Sequence, residues 1–500
     1  MKRAPIVAVI LLAACSGGGG GGTPGPLPAT PTPAPSPTNA PPLANVQRIS
    51  ADPFTNSSSQ HATEVEPSVA INGMTIVAAF QTGRFFISGS SDIGFASSID
   101  GGSTWQSGTL PAVTHYTLPA GPYDSISDPS VAYDAAHATW LISSLPILSN
   151  NAGVPGVLVS RSQDGVTWSN PVAVTPANQT SNDKNWIACD NRASSPFYGH
   201  CYVEWDTFSG AGSISMSVST DGGRTWSAPG HPNPDTGGIG GQPVVQPDGN
   251  VVVPIDDGGA INVLAFTSHD GGATWSRAVT VANIADHFIA GNLRSLPLIS
   301  AAADDGGKVY VVWQDCRFRS SCRSNDLVMS TSNDGLAWSA PARIPIDDVT
   351  SSADHFIPGV SIKAGTSGAG AQIGVTYYSY PVAGCTASTC QLFADFISSG
   401  DGGATWGAPQ TLAGPMNLGW LAQTQDGVMV GDYMASTFAP SRPLAFVAVA
   451  DPSMSGVFDE GMFVSKSGAI ATVSRVRRSS AKERPVRGFH SDHGPRHIHP

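Results

Sequence analysis

Ser98-Ile99-Asp100-Gly101-Gly102-Ser103-Thr104-Trp105 is the stretch on which the reading of this chain turns. It recurs as Ser219–Trp226, Ser268–Trp275 and Ser399–Trp406, and one residue shorter as Ser162–Trp168 and Ser332–Trp338. Each copy has the chemistry of a hairpin turn. The Asp carboxylate can accept backbone N–H groups across the turn, and Gly supplies a positive φ. The Trp then opens the next strand and buries a large ring. Six identical turns cannot all line one site, so Asp100, Asp164, Asp221, Asp270, Asp334 and Asp401 read as structural rather than catalytic.

Working outward, each turn ends a longer unit. An opening strand carries an acidic or small residue and often Pro, as in Glu66-Pro67-Ser68-Val69, Asp128-Pro129-Ser130-Val131 and Ile357-Pro358-Gly359-Val360. A second strand ends on an aromatic residue in most units, such as Phe80, Trp205, Trp313 or Tyr378. A third strand leads into the turn and a fourth follows its Trp. Repeated four-stranded units are the signature of an all-β propeller. A further unit without the turn starts near Gly431, with strands at Leu444–Ala450 and Gly461–Ser465. Its fourth strand is either Ala469–Val473 or, borrowed from the other end, Val46–Ser50. This gives seven blades, with six as the alternative.

Composition agrees. Of 500 residues, 56 are Gly and only 12% are charged, while 41% are hydrophobic, which excludes both a coiled coil and a disordered chain. The net charge of −12 excludes a basic nucleic-acid footprint.

The ends differ from the middle. Lys2 and Arg3 precede the apolar run Ile6–Leu12, a secretory signal over residues 1–14 that is too short to span a bilayer. Leu12-Ala13-Ala14-Cys15 resembles the bacterial lipoprotein signal, in which Cys15 is acylated. Residues 15–45 form a Gly/Pro-rich tether, and 46–473 the propeller. Residues 474–500 are a basic, His-containing tail expected to be disordered, with a net +5. Without the signal and the tail, about −19 remains on the rest. These features place the protein at the bacterial cell envelope, with membrane contact through the lipid only and a monomeric domain outside the cytoplasm. The other six of the 7 Cys fall into close pairs, Cys189/Cys201, Cys316/Cys322 and Cys385/Cys390, and export favours disulfides over zinc.

In a propeller, the starts of first strands and the loops from second to third strands share the face around the central channel. Glu66, Asp128, Asp183, Arg294, Asp432 and Tyr433 belong there by the first rule, and Arg84, Asp206, Asp315, Arg317, Arg319 and Tyr380 by the second. Arg84, Arg294 and Arg317 could converge on a carboxylate, which suits the planar guanidinium fork. Glu204 stands where other second strands carry Val312, Ala79 or Tyr377, so it should be paired or functional. Asp286-His287-Phe288-Ile289 recurs as Asp354-His355-Phe356-Ile357, which fits a packing loop.

The repeated turn is similar to the Asp box of the bacterial neuraminidase repeat, and the likeness covers most of the chain. The resemblance implies a sialidase-like propeller. In such exo-sialidases three Arg bind the substrate carboxylate, a Tyr assisted by a Glu is the nucleophile and an Asp is the acid/base. Carried over, Arg84, Arg294 and Arg317, with Asp315 beside them, would bind substrate. Asp128, Glu204 and Tyr380 or Tyr433 would be catalytic. The family's early Arg-Ile-Pro motif is not at its expected place; Arg343-Ile344-Pro345 follows a later turn.

Two functions therefore stand side by side. One is a surface-anchored, exo-α-sialidase-like glycoside hydrolase acting on terminal sugars of glycans. The other is a non-catalytic propeller that binds glycan or protein. Neither requires a cofactor, and calcium is compatible with Glu66, Asp128 and Asp183.

Overall fold

The computed structural model describes residues 43–149, 153–175, 181–207, 212–453 and 456–466. The expected signal, acylated Cys15, tether to residue 42 and tail lie outside the described residues. The fold is all-β, and its only helical pieces among the described residues are short 3-10 turns. No described helix is long and apolar enough to cross a membrane.

The strands form successive antiparallel units. The first is Gln60–Asn72, Thr75–Arg84, Ser90–Ser98 and Gln106–Thr109. The second is Ser125–Asp134, Thr139–Ile147, Leu158–Ser162 and Val172–Ala173. The third is Asn182–Cys189, Cys201–Thr207 and Ile214–Ser219, with Gly230 bridged to Met216 at its outer edge. Units of the same plan run through 244–283, 300–343 and 354–417. The last is Ala435–Phe438, Pro443–Ala450 and Glu460–Ser465. Its outer strand is Val46–Arg48, paired antiparallel as Val46↔Ser465 and Arg48↔Phe463. The amino-terminal segment thus completes the last unit, and Ala469–Val473 lies outside the described residues.

Continuous burial of the second strands explains the stacking. Second strands are buried on both faces, so hydrophobic clusters form between units. One joins Val77, Phe95, Trp140 and Ile142; another joins Leu141, Val159, Val203 and Trp205. First strands of consecutive units touch in order, and the last touches the first. Side chains tie them. The Val131 N–H donates to Ser68 Oγ at 3.1 Å, Ile187 N–H to Ser130 Oγ at 3.2 Å and Val360 N–H to Ser300 Oγ at 3.0 Å. These bonds satisfy buried N–H groups of first strands.

The repeated turns behave as their chemistry dictates. In the first, Asp100 Oδ1 accepts the N–H groups of Ser103 and Thr104 at 3.0 and 2.9 Å, and Ser98 Oγ accepts that of Gly102 at 2.9 Å. Gly101 and Gly102 have φ of 72° and 86°. The three cysteine pairs are disulfides: Cys189–Cys201, Cys316–Cys322 and Cys385–Cys390. They accord with an oxidising compartment outside the cytoplasm.

Val46 is 2% exposed, in the cluster that includes Phe446 and Phe463. Val46→Asp places an unpaired charge there, and the fold should lose about 2–4 kcal/mol. Urea denaturation checks this; an unchanged midpoint would mean that the amino-terminal strand does not hold the last unit.

Candidate functional site

The centre of the site is made by a bulge repeated from unit to unit. First-strand registers slip between Val65 and Ser68, Ser127 and Ser130, Asp183 and Trp186, and Phe356 and Gly359. A non-glycine residue with positive φ stands at each slip: Glu66 at 59°, Asp128 at 49°, Lys184 at 39° and Ile357 at 50°. A bulge re-aims its side chain, and such backbone costs on the order of 1–3 kcal/mol per residue. Three of the four are charged and buried.

They meet around Asp432. Lys184 Nζ lies 2.5 Å from Asp432 Oδ2, 3.3 Å from Asp128 Oδ1 and 3.8 Å from Glu66 Oε1. Arg294 holds Asp432 with a fork, Nε to Oδ1 at 2.8 Å and Nη2 to Oδ2 at 2.5 Å. The Asp432 N–H donates to Glu66 Oε1 at 3.2 Å, and Gln81 donates to Glu66 Oε2.

Burial and charge compete at every member. Burial would raise Asp432, but Arg294 and Lys184 outweigh it and hold the carboxyl well below its ordinary range. Burial would lower Lys184, but Asp128, Asp432 and Glu66 keep it charged. Glu66 is pushed up to about 7 by burial and then by Asp128, against Lys184. Asp183 also reaches about 7, through burial opposed by Lys184. Arg84 is drawn down to about 10 by burial and the nearby Arg294 charge.

The structure brings Arg84, Arg294, Asp128 and Tyr433 into this neighbourhood. Arg84 is buried; its guanidinium donates to the Gly89 carbonyl and touches Met429 Sδ at 3.4 Å. Tyr433 packs edge-on against Trp186 and donates its hydroxyl to the Pro129 carbonyl at 3.0 Å. Burial, then Glu66 and Asp128, push its pKa well up. Arg317 is engaged elsewhere: it forks onto Asp315 with bonds of 2.8 and 2.7 Å and donates to the Asn283 carbonyl. Tyr380 is buried against Phe356, its hydroxyl 3.4 Å from the Ala290 carbonyl. Glu204 is fully buried opposite Trp186 with no side-chain donor, and burial and Asp206 push its pKa well up. Asp183 and Asp206 face each other across the same strand pair.

Sequence reasoning missed Lys184. Its signal was positional: it fills the slot of Glu66 and Asp128 in the repeat, but without the following Pro. A second network was also missed. Arg319 Nη2 lies 2.6 Å from both Asp326 and Asp347, and Arg343 pairs with the same two carboxylates. Asp326, Asp347 and His355 offer ligand atoms within 4.8 Å of one another. The two guanidinium groups already supply the positive charge there, so the cluster reads as an ion-pair network.

Exposed apolar side chains favour this face. Phe86, Ile87, Ile261, Phe288, Phe318 and Val382 all sit on loops before first strands or between second and third strands. Fewer, among them Met74, Ile99 and Leu336, sit on the opposite turns.

Comparison with known proteins identifies the repeat. Residues 149–360 match the BNR repeat-like domain, and the same turn recurs outside that stretch at Asp100 and Asp401. Over residues 149–360 the chain is thus of the BNR, or Asp-box, repeat-like type. No curated protein matches it. Among solved structures it is similar to the Hadza microbial sialidase Hz136, at 16% identity over 64% of each chain and a TM-score of 0.43. A leech intramolecular trans-sialidase gives 13% identity over 64% of this chain and 65% of that one, at 0.43. A family PL25 polysaccharide lyase, an ulvan lyase, gives 11% identity over 81% and 94%, at 0.47. The chain spans less than two thirds of the length of either sialidase.

Two outcomes follow from the electrostatics. Lys184→Met leaves Asp128 and Asp432 buried with one cation fewer and should cost about 3–5 kcal/mol in chemical denaturation; a loss under about 1 kcal/mol would mean that Arg294 alone balances the cluster. The second concerns pH. Each Asp-box carboxyl is held below its ordinary value, Asp164 at about 2 chiefly by the Thr167 N–H. Their stabilisation is present above about pH 4 and lost as pH falls through the folded value. Glu66, Asp183, Asp256 and Asp354 are raised to about 7 by burial. Their contribution is present below about pH 4 and lost as pH rises through 7. Calorimetry should show Tm highest near pH 4, falling toward pH 2 and falling again between about pH 4 and 7; a Tm that rises between about pH 5 and 7 would contradict the buried-acid balance.

Proposed function

We propose that these units are the blades of a seven-bladed β-propeller, held at the bacterial envelope through a lipid on Cys15, that binds glycans at its central mouth as a monomer. The repeat type, with its likeness to the neuraminidase repeat, supports a glycan ligand. One observation favours binding over sialoside hydrolysis: the arginines and tyrosines the hydrolytic reading needs free are already engaged. Arg294 and Arg317 are forked onto Asp432 and Asp315, and Arg84 is tied to Gly89. Tyr433 and Tyr380 donate to backbone carbonyls, so neither is paired with a Glu as a nucleophile. A substrate carboxylate would have to displace protein carboxylates from their own arginines.

Glycoside hydrolysis is the second reading, on one specific observation. Glu66 and Asp183 titrate near 7 while Asp432 stays ionised beside them. Carboxyls whose environments drive their pKa values apart are what acid/base chemistry uses. Calcium has less to do here, because Lys184 already stands among Glu66, Asp128 and Asp432.

A glycan array probed with the full chain, alongside release of a fluorophore from a sialic acid glycoside, separates these readings. We expect glycan binding that persists in a chelator, without turnover. Turnover abolished by Asp128→Asn or Glu66→Gln would establish the hydrolase instead.

A further inference from the structure

The recurring word Asp-His-Phe-Ile has two fates. Phe356 is fully buried, whereas Phe288 is 78% exposed. The exposed ring does not stand on a loose loop. The His287 N–H donates to Asn325 Oδ1 at 2.8 Å and the Asn325 amide returns a bond to the His287 carbonyl at 2.7 Å. Asp286 accepts from Gln314 at 3.0 Å. Ile289 and Leu293 are buried beneath the same segment.

A second loop is laced to the first. The Cys316 N–H donates to the Ala285 carbonyl at 2.6 Å, and Arg317 donates to the Asn283 carbonyl. The Cys316–Cys322 disulfide closes that loop, which presents Phe318 at 37% exposure between Arg317 and the buried Arg319. Arg294 follows Phe288 by only six positions, so the segment that carries the ring also delivers the guanidinium to Asp432.

We propose that Phe288 and Phe318 are the stacking platform for successive sugar rings of a polymeric glycan that runs outward from the Arg294–Lys184 mouth. This rests on the glycan-binding reading above. The electron-rich face of a phenyl ring attracts the C–H face of a pyranose, as aromatic rings attract positive edges generally. Fixed loops lose little freedom when the ligand arrives. Two separate rings among His287, Arg317 and Asp286 suit a narrow chain with hydroxyls along its edges. A protein partner would need a continuous patch burying about 1,200–2,000 Å².

The test uses the full chain with ulvan and polysialic acid as polymers, and rhamnose and sialic acid as single sugars, in affinity electrophoresis and calorimetry. Phe288→Ala and Phe318→Ala should each weaken polymer binding roughly three- to tenfold. The double variant should weaken it further, with Tm and single-sugar binding unchanged; Phe288→Trp should retain binding. Polymer binding equal to the native chain's in the double variant would overturn the platform while leaving the glycan reading intact. Native chain that binds none of the four would overturn both. Self-association lost in the double variant, with glycan binding unchanged, would make the patch an interface between copies and overturn the platform.

Discussion

Asp432 belongs to the last unit, and the fold can bury its carboxylate only because cations from distant segments reach it. Desolvating an ion costs several kcal/mol, and the cost is offset only by well-placed partners. Here Lys184 arrives from the third unit and Arg294 from the loop before Ser300–Ala303, while Glu66 of the first unit accepts the Asp432 N–H. The last unit is thereby tied to the first and the third at the centre, as Val46–Arg48 ties it at the edge. The bulges are part of the same arrangement. The register slip re-aims the side chain at the same slot of three first strands, Glu66, Asp128 and Lys184, and these three meet around Asp432.

The repeat was legible because its chemistry is local. An Asp, a Gly and a Trp at fixed spacing specify a turn without reference to anything distant, and the strands on either side inherit their places from it. The disulfide pairs were legible for a similar reason: each closes a short loop. The choice of fourth strand for the last unit was not decidable, since Val46–Ser50 and Ala469–Val473 carry similar patterns and only packing on Phe446 and Phe463 separates them. The site was half legible. Glu66, Asp128, Arg294 and Asp432 follow from the topological rule for one face, but the rule says nothing of which cation meets which carboxylate. Lys184 hid because the Pro that marks the slot in other units is Asn185 here. Arg317 misled for the opposite reason. It matches Arg84 in register, yet Asp315 two residues earlier captures its fork, a contact that a pattern of positions does not reveal.

Charge balance also explains why an acidic protein can have a mouth rich in cations. Lys184, Arg294 and Arg84 do not create a positive basin, because Glu66, Asp128, Asp183 and Asp432 outnumber them, and Glu204 and Asp206 lie next in line. Burial raises Glu66 and Asp183 to about 7, so near neutral pH the cluster carries less negative charge than its number of acids implies. Such a mouth offers hydrogen-bond donors and acceptors without a dominant field. It suits neutral hydroxyls better than a lone carboxylate, which would meet arginines already forked onto Asp432 and Asp315.

The topology also fixes how that mouth is presented. Val46 pairs with Ser465 and the Lys466 N–H donates to the Asn45 carbonyl, so both ends of the described domain leave side by side. They leave from the end of a third strand, which in the other units runs into an Asp-box turn. The loops that carry Phe288, Phe318 and Arg294 cap the opposite ends of the strands. The tether proposed upstream of Asn45 would therefore pull on the Asp-box side, so that the six turns would face the point of attachment and the loops that carry Phe288, Phe318 and Arg294 would face away from it.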